Sequence, residues 1–202
     1  SFPTRRSSDL GAMIAGLLVS LALAFLFCPD GASLPVARAV ALGTIGISLG
    51  GSLTYGQTIG LTQDAGLLGN WAALRWGLFG LFIKGAIWIG FAGAFLGMAL
   101  GGQTYRTRDW AALLGAMWVL YLAGVWLLNE PFDPAHRVLP KIYFSADWRW
   151  LPNAELVPRR ERWGGLLFAW LGVIVYAGRM RRDGLAWRLA LWGALAGGLG
   201  FS

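Results

Sequence analysis

The chain has 202 residues, of which 56% are hydrophobic and 13% are charged, and its formal net charge is +7. A soluble domain usually has about a quarter of its residues charged, so this composition excludes an ordinary soluble domain and favours a protein that spans a membrane. The basic residues stand in short connections between apolar runs. We therefore expect the positive charge to orient the protein in a bilayer, and we expect no nucleic-acid partner.

The two ends of the chain differ from the sequence between them. Residues 1–10 read SFPTRRSSDL, whereas an apolar run begins at Gly11. We expect residues 1–10 to be a non-native leader that resembles translated sequencing-adapter sequence, and we leave them out of the fold prediction. The other end stops inside a glycine-rich apolar run, so we expect the chain to be a fragment of a longer protein.

An apolar run of about 18 residues suffices to cross the hydrocarbon core as a helix, and the sequence contains six apolar runs, of which the last is cut off. The sequence therefore predicts an all-α, polytopic transmembrane helical bundle of about six helices over residues 11–202, with the last helix truncated. The predicted spans are residues 11–28, 36–56, 72–100, 110–128, 163–178 and 187–202. In the second span Gly46 and Gly50 stand four positions apart, as do Gly56 and Gly60, which predicts close packing on a neighbouring helix.

A long polar segment, residues 129–162, separates the fourth and fifth predicted spans. Its prolines exclude a long helix, and its mixture of aromatic and charged residues is typical of a segment at the lipid headgroups. Arginines cluster in the connections 101–109 and 179–186. These connections follow the third and the fifth predicted spans, and because each span crosses the membrane once, both lie on the same side; we call this the parity of the connections. The positive-inside rule puts these two connections in the cytoplasm and residues 129–162 outside, in a bacterial inner membrane.

Lys84 is the most informative residue, because it lies within the apolar sequence FGLFIKGAIWIGF of the third span. An ammonium in hydrocarbon costs a few kcal/mol or more unless it is paired or reaches water. On a helix, Lys84 shares a face with Gly77, Gly80 and Trp88, which predicts packing of this face against protein. Two interpretations stay open: a counter-charge for a substrate or ion, and a lysine that snorkels toward the end marked by Arg75.

Parity places further polar residues at the same end of the bundle as the polar segment. A stripe of threonines every four residues, Thr54, Thr58 and Thr62, closes the second span. The predicted substrate-binding residues are Lys84, Asp64, Arg75, Glu130, Asp133, His136, Tyr55 and Gln57. His136 is the only histidine, and its acidic neighbours would permit acid–base chemistry, although a solvated loop histidine is the ordinary interpretation. No catalytic or metal-ligand spacing is recognised, and the cofactors are unknown.

Three functions fit these features. Glycine-rich helices, the intramembrane charge and a weak similarity between residues 36–52 and 186–202 favour a transporter-like or channel-like protein, since some transporters contain repeats. The alternatives are a membrane enzyme that acts on a lipid or glycolipid headgroup and a non-catalytic membrane subunit. The expected partners are the lipid bilayer and either the missing remainder of the chain or another membrane subunit.

Overall fold

The structure, a computed structural model, describes residues 5–27, 31, 33–50, 56–152 and 155–202. In this part of the chain the fold is all-α, as the sequence predicts, and no strand is present. Two short 3-10 turns, Ala65–Leu67 and Pro134–His136, lie in the connections, and a π-helical turn, Tyr176–Met180, extends α6. The helices are α1 (Arg5–Phe27), α2 (Ser33–Gly50), α3 (Gly56–Gln63), α4 (Trp71–Leu100), α5 (Thr107–Leu128), α6 (Trp163–Val175) and α7 (Gly184–Phe201).

Four of the described helices are long and apolar enough to cross a membrane, by length and composition. They are α2, α4, α5 and α6 with its π-helical turn. The apolar part of α1 is shorter, Met13–Phe27, and α7 has 18 residues. The prediction of a bundle of about six helices therefore agrees roughly with the structure. The protein is a multi-pass membrane protein.

Three helix boundaries differ from the prediction. α1 begins at Arg5, within the predicted leader, because residues 5–10 contain neither Pro nor Gly to stop the helix from propagating. α2 begins at Ser33, since a proline such as Pro35 is tolerated in the first turn of a helix. The second predicted span ran to residue 56, whereas α2 ends at Gly50 and α3 begins at Gly56.

α4 is the central helix, and α7 lies antiparallel along it with almost no gap between the backbones. A methyl group at Gly93 of α4 would lie 2.1 Å from the carbonyl oxygen of Leu189, and one at Gly97 would lie 2.4 Å from the Cα of Ala186. Small residues of this kind let helices associate in lipid by direct backbone contact.

α2 lies antiparallel to α4 on another face, through the glycines whose spacing predicted this packing. Gly46 approaches the backbone of Ala92, and Gly50 approaches Trp88. α1 lies along α2, and α5 forms an antiparallel pair with α6, whereas α7 hardly touches α6. A repeat based on the similarity between residues 36–52 and 186–202 would relate the pair α1 and α2 to the pair α6 and α7, and these two pairs are packed differently.

The connections gather at the two ends of the bundle as parity predicts. At one end, which we call the arginine end, residues 101–109 meet residues 179–186. There the Tyr105 hydroxyl donates to Oδ2 of Asp183 at 2.8 Å. The other end, which we call the polar-segment end, holds the connection from α3 to α4 and the described parts of the polar segment, residues 129–152 and 155–162. There the Ala146 amide donates to the Gln57 carbonyl.

Candidate functional site

The site is built around Lys84, near the middle of α4. Lys84 stands 13 residues after Trp71 and 16 before Leu100, the two ends of the helix, so its Cα lies about 20 Å from one end and about 24 Å from the other. Its side chain is 1% exposed. The ammonium is therefore held inside the protein and does not reach the helix end near Arg75.

A carboxylate that the sequence analysis did not select pairs with this ammonium. Lys84 Nζ donates to Oε1 of Glu161 at 2.6 Å and to Oγ1 of Thr58 at 2.7 Å. The side chain of Glu161 is 0% exposed. A lone charge at this depth would cost several kcal/mol, and the direct pair offsets that cost through charge neutralisation and hydrogen bonding.

Glu161 is held from the other side by the polar segment. Its Oε1 accepts a hydrogen bond from the Ser145 hydroxyl at 2.8 Å, and its Oε2 accepts one from the Phe144 amide at 2.9 Å. Each carboxylate oxygen therefore has a donor from residues 144–145, and Oε1 also accepts the hydrogen bond from the ammonium. A buried ion pair is stable only when such extra hydrogen bonds satisfy its lone pairs.

Residues 143–145 reach this depth because α4 leaves room for them. Gly80 lies directly against the ring of Phe144, where a methyl group would lie 2.7 Å from Phe144 Cβ. The Phe144 ring packs on Trp76 at 5.2 Å and on Trp163 at 5.0 Å between ring centroids. The predicted headgroup segment thus contributes a buried part to the bundle.

Tyr143 fixes the start of this buried stretch. Its hydroxyl donates to the Arg159 carbonyl at 3.0 Å, and its own carbonyl accepts a hydrogen bond from the Trp76 indole at 2.8 Å. Burial, together with the nearby Glu161 carboxylate, raises the pKa of the Tyr143 hydroxyl. The neutral phenol therefore persists at high pH and joins the two stretches 143–145 and 159–161 of the polar segment, and the first of them is bonded to α4 through Trp76.

A cleft of about 260 Å³ opens at the polar-segment end; we call it the outer cleft. Gln57 and Ala146 line it, and these residues adjoin Thr58 and Ser145, the two hydroxyls of the site. Asp64 and Glu155 line it as well, so the cleft carries acidic groups. The Gln57 Oε1 atom is buried and accepts no hydrogen bond from the described residues.

Only part of the predicted set comes together. Lys84 forms the centre, and Gln57 and Asp64 line the outer cleft. Tyr55 lies outside the described residues. Arg75 is exposed and donates to the Trp71 carbonyl in its own helix, so it is not part of the site.

The three predicted residues from the start of the polar segment lie elsewhere at the same end. Glu130 pairs with Arg160. His136 contacts Asp133 at 2.6 Å, with side chains that are 79% and 51% exposed. Among the described residues Lys84 has an ion-pair contact with Glu161 and with none of these acids. The described residues also hold no group of three His, Cys, Asp or Glu placed to bind a metal ion.

Glu161 and Ser145 were missed for different reasons. Glu161 stands in the run RRERW, where three arginines make it look like an ordinary surface acid. The available signal was its place directly before the apolar helix α6, at the end that parity assigns to the partners of Lys84. Ser145 lies in a segment without helical or strand periodicity, so no pattern in the sequence distinguishes its buried hydroxyl.

Comparison of the chain with protein-family models, with curated protein sequences and with solved structures gives no match.

Proposed function

We propose that this chain is part of a transporter-like membrane protein that moves protons, and that the Lys84–Glu161 pair is its proton-exchanging centre. The observation that carries the proposal is the direct, fully buried contact between an ammonium and a carboxylate in the middle of α4. Ionisable groups at such a depth are expensive and typically mark ion pathways or proton relays in membrane proteins.

The pair suits proton exchange because its two charge states have the same net charge. As ammonium and carboxylate it is neutral overall. When one proton moves from Nζ of Lys84 to Oε1 of Glu161, it becomes an amine and a carboxylic acid and stays neutral. Thr58 and Ser145 add hydroxyls that can relay a proton at either side.

Access differs between the two directions along α4. Toward the polar-segment end lies the outer cleft with Asp64 and Glu155, which is lined by Gln57 and Ala146, the chain neighbours of Thr58 and Ser145. Toward the arginine end, α4 continues into the hydrophobic core, where Ile87, Phe91 and Phe95 are at most 2% exposed. This asymmetry, with a cleft on one side and packed apolar residues on the other, favours a transporter that alternates between states over an open channel.

The orientation that we propose follows the arginine distribution. The connections 101–109 and 179–186 carry arginines and are assigned to the cytoplasm of a bacterium, with residues 129–162 outside. The outer cleft would then face the exterior of the inner membrane.

The experiment uses the full chain in liposomes that contain the pH dye pyranine, with protons driven by a potassium gradient and valinomycin. We expect the wild type to acidify the lumen several-fold faster than protein-free liposomes. The rate of Glu161→Gln should fall to the protein-free rate, because a positioned acid or base typically accelerates proton transfer about 100-fold or more. Asp133→Asn, an exposed acid at the same end, is the matched control and should keep the wild-type rate. A wild-type rate equal to that of empty liposomes would refute the proposal.

The alternatives receive less support. A headgroup enzyme that uses His136 would need this residue in a cleft, whereas it is largely exposed and contacts Asp133. A non-catalytic subunit would not need a buried ion pair, because apolar residues of similar volume are often as stable.

A further inference from the structure

A second cleft lies on the flank of the bundle, away from the Lys84–Glu161 pair. It has a volume of about 640 Å³ and runs between α2 and α5, over a floor formed by Phe91 of α4 and Ala169 of α6. We call it the lateral groove. The α5 wall carries Leu114, Trp118 and Leu122, which are 55%, 63% and 51% exposed. On the opposite wall, the Ser48 hydroxyl is used within α2, where it donates to the Thr44 carbonyl.

The groove has a charged rim at one end. Glu130, Arg160 and Arg162 line it there, directly after α5 and directly before α6. Glu130 is already paired with Arg160, whereas the exposed Arg162 side chain makes no hydrogen bond or ion pair with the described residues. The rim therefore has a net positive charge and one guanidinium available to an anion. An arginine guanidinium binds phosphate well because its planar array of N–H donors matches the phosphate oxygens.

The length of the groove matches one leaflet. Leu114 and Val125 of α5 both line it, and the 11-residue step between them corresponds to about 16 Å of helix. The hydrocarbon core is about 30 Å thick, so the apolar wall covers about half of it. The mouth opens on the exposed apolar face of α5, where only lipid or another membrane helix can reach it.

We infer that the lateral groove holds a phospholipid with an anionic headgroup, drawn from the leaflet at the polar-segment end. One acyl chain lies along Leu114, Trp118 and Leu122, and the phosphate is bound by Arg162 beside the Arg160–Glu130 pair. The charge of the rim, the apolar walls and the one-leaflet length together select this occupant. The inference does not depend on proton transport through Lys84.

The test measures lipid binding to the delipidated full chain by native mass spectrometry, with phosphatidylglycerol and phosphatidylcholine as probes. We expect Arg162→Gln to weaken phosphatidylglycerol binding by about fivefold or more, the value of one charge-assisted hydrogen bond, and to change phosphatidylcholine binding little. Arg159→Gln is the matched control, since this exposed arginine stands three positions away and does not line the groove. Ser48→Phe, which fills the apolar part, should weaken the binding of both lipids.

Two results would overturn the inference. Equal phosphatidylglycerol affinity of Arg162→Gln and Arg159→Gln would show that the rim does not bind the headgroup. A protein dimer that crosslinks through cysteines introduced at Leu114 and Leu122 and excludes lipid would assign the groove to a second helix. Arg162→Gln removes no described ion pair, so a loss of lipid binding cannot be attributed to a lost fold if the helical content is unchanged.

Discussion

Lys84 Nζ lies 2.6 Å from Oε1 of Glu161, although 77 residues separate the two in the chain, and both side chains are at most 1% exposed. The contact joins the central helix α4 to the last residues of the polar segment. Through the Phe144 amide and the Ser145 hydroxyl, the same carboxylate also holds the buried stretch 143–145. One carboxylate therefore neutralises the intramembrane charge and fastens the polar segment inside the bundle.

Gly93 provides a test of the α4–α7 contact. A Gly93→Ala methyl group would lie 2.1 Å from a backbone oxygen of α7, which cannot move without shifting the helix. Overpacking of this kind costs about 1–3 kcal/mol, and we expect a corresponding loss of thermal stability in detergent. Gly115→Ala is the matched control, because a methyl group there has no neighbour within 4 Å. Equal unfolding temperatures for the two variants would mean that α7 is not seated directly on α4.

Tyr105 at the arginine end should make stability depend on pH. Burial, followed by the hydrogen bond to Asp183, raises the pKa of the Tyr105 hydroxyl above its ordinary value of 10.0. The unfolded chain therefore releases this proton first, and the stabilisation that is complete below pH 10 is lost progressively as the pH rises further. We expect Tyr105→Phe to be less stable than the wild type by about 1 kcal/mol at pH 8.

The gap between Tyr105→Phe and the wild type should then narrow at pH 11, because the substitution removes the ionisable group. Unfolding curves at the two pH values measure this gap, and Tyr121→Phe, which removes a hydroxyl on α5, is the comparison. If the stability difference between Tyr105→Phe and the wild type is the same at pH 8 and pH 11, ionisation of Tyr105 does not contribute to the pH dependence of stability.

The proposed orientation can be measured by cysteine labelling in cells. Cys28 is the only native cysteine, so Cys28→Ser gives a background free of thiols. We expect a membrane-impermeant maleimide to label Lys141→Cys in intact cells and Arg108→Cys only after lysis, since these exposed residues lie at opposite ends of the bundle. The reverse pattern would invert the proposed topology and put the outer cleft in the cytoplasm.

Sequence patterns predicted part of the packing that depends on periodicity, although the spacing of Gly56 and Gly60 did not, since a methyl group at Gly56 would have no neighbour within 4 Å. The spacing of Gly46 and Gly50 indicated a packed helix face, and Gly77, Gly80 and Trp88 indicated that Lys84 faces protein; both faces contact neighbours in the structure. The parity of the connections correctly predicted which of them lie at the same end of the bundle. These inferences succeed because a helix of 3.6 residues per turn fixes which residues share a face.

The partner of Lys84 could not be selected from the sequence. Asp64 and Glu130 lie at the end of the bundle where the partner was predicted, but among the described acids only Glu161 comes within ion-pair distance of Lys84. The selection is made by the path of the described residues 143–152 and 155–162, which turns inward at Phe144 and contains no helix or strand. Tertiary packing of aromatic rings on α4 and α6 therefore decides which carboxylate is buried.

A double-mutant cycle on Lys84 and Glu161 tests the central claim most directly, with the free energy of unfolding measured for Lys84→Met, Glu161→Gln and the double variant. Each single substitution leaves a buried polar group without its partner and should cost about 3–5 kcal/mol. The double variant should cost less than the sum of the two, by about 1–3 kcal/mol. Additive effects, within about 0.5 kcal/mol, would contradict the account, because two residues that do not interact cannot form the buried pair on which the site is built.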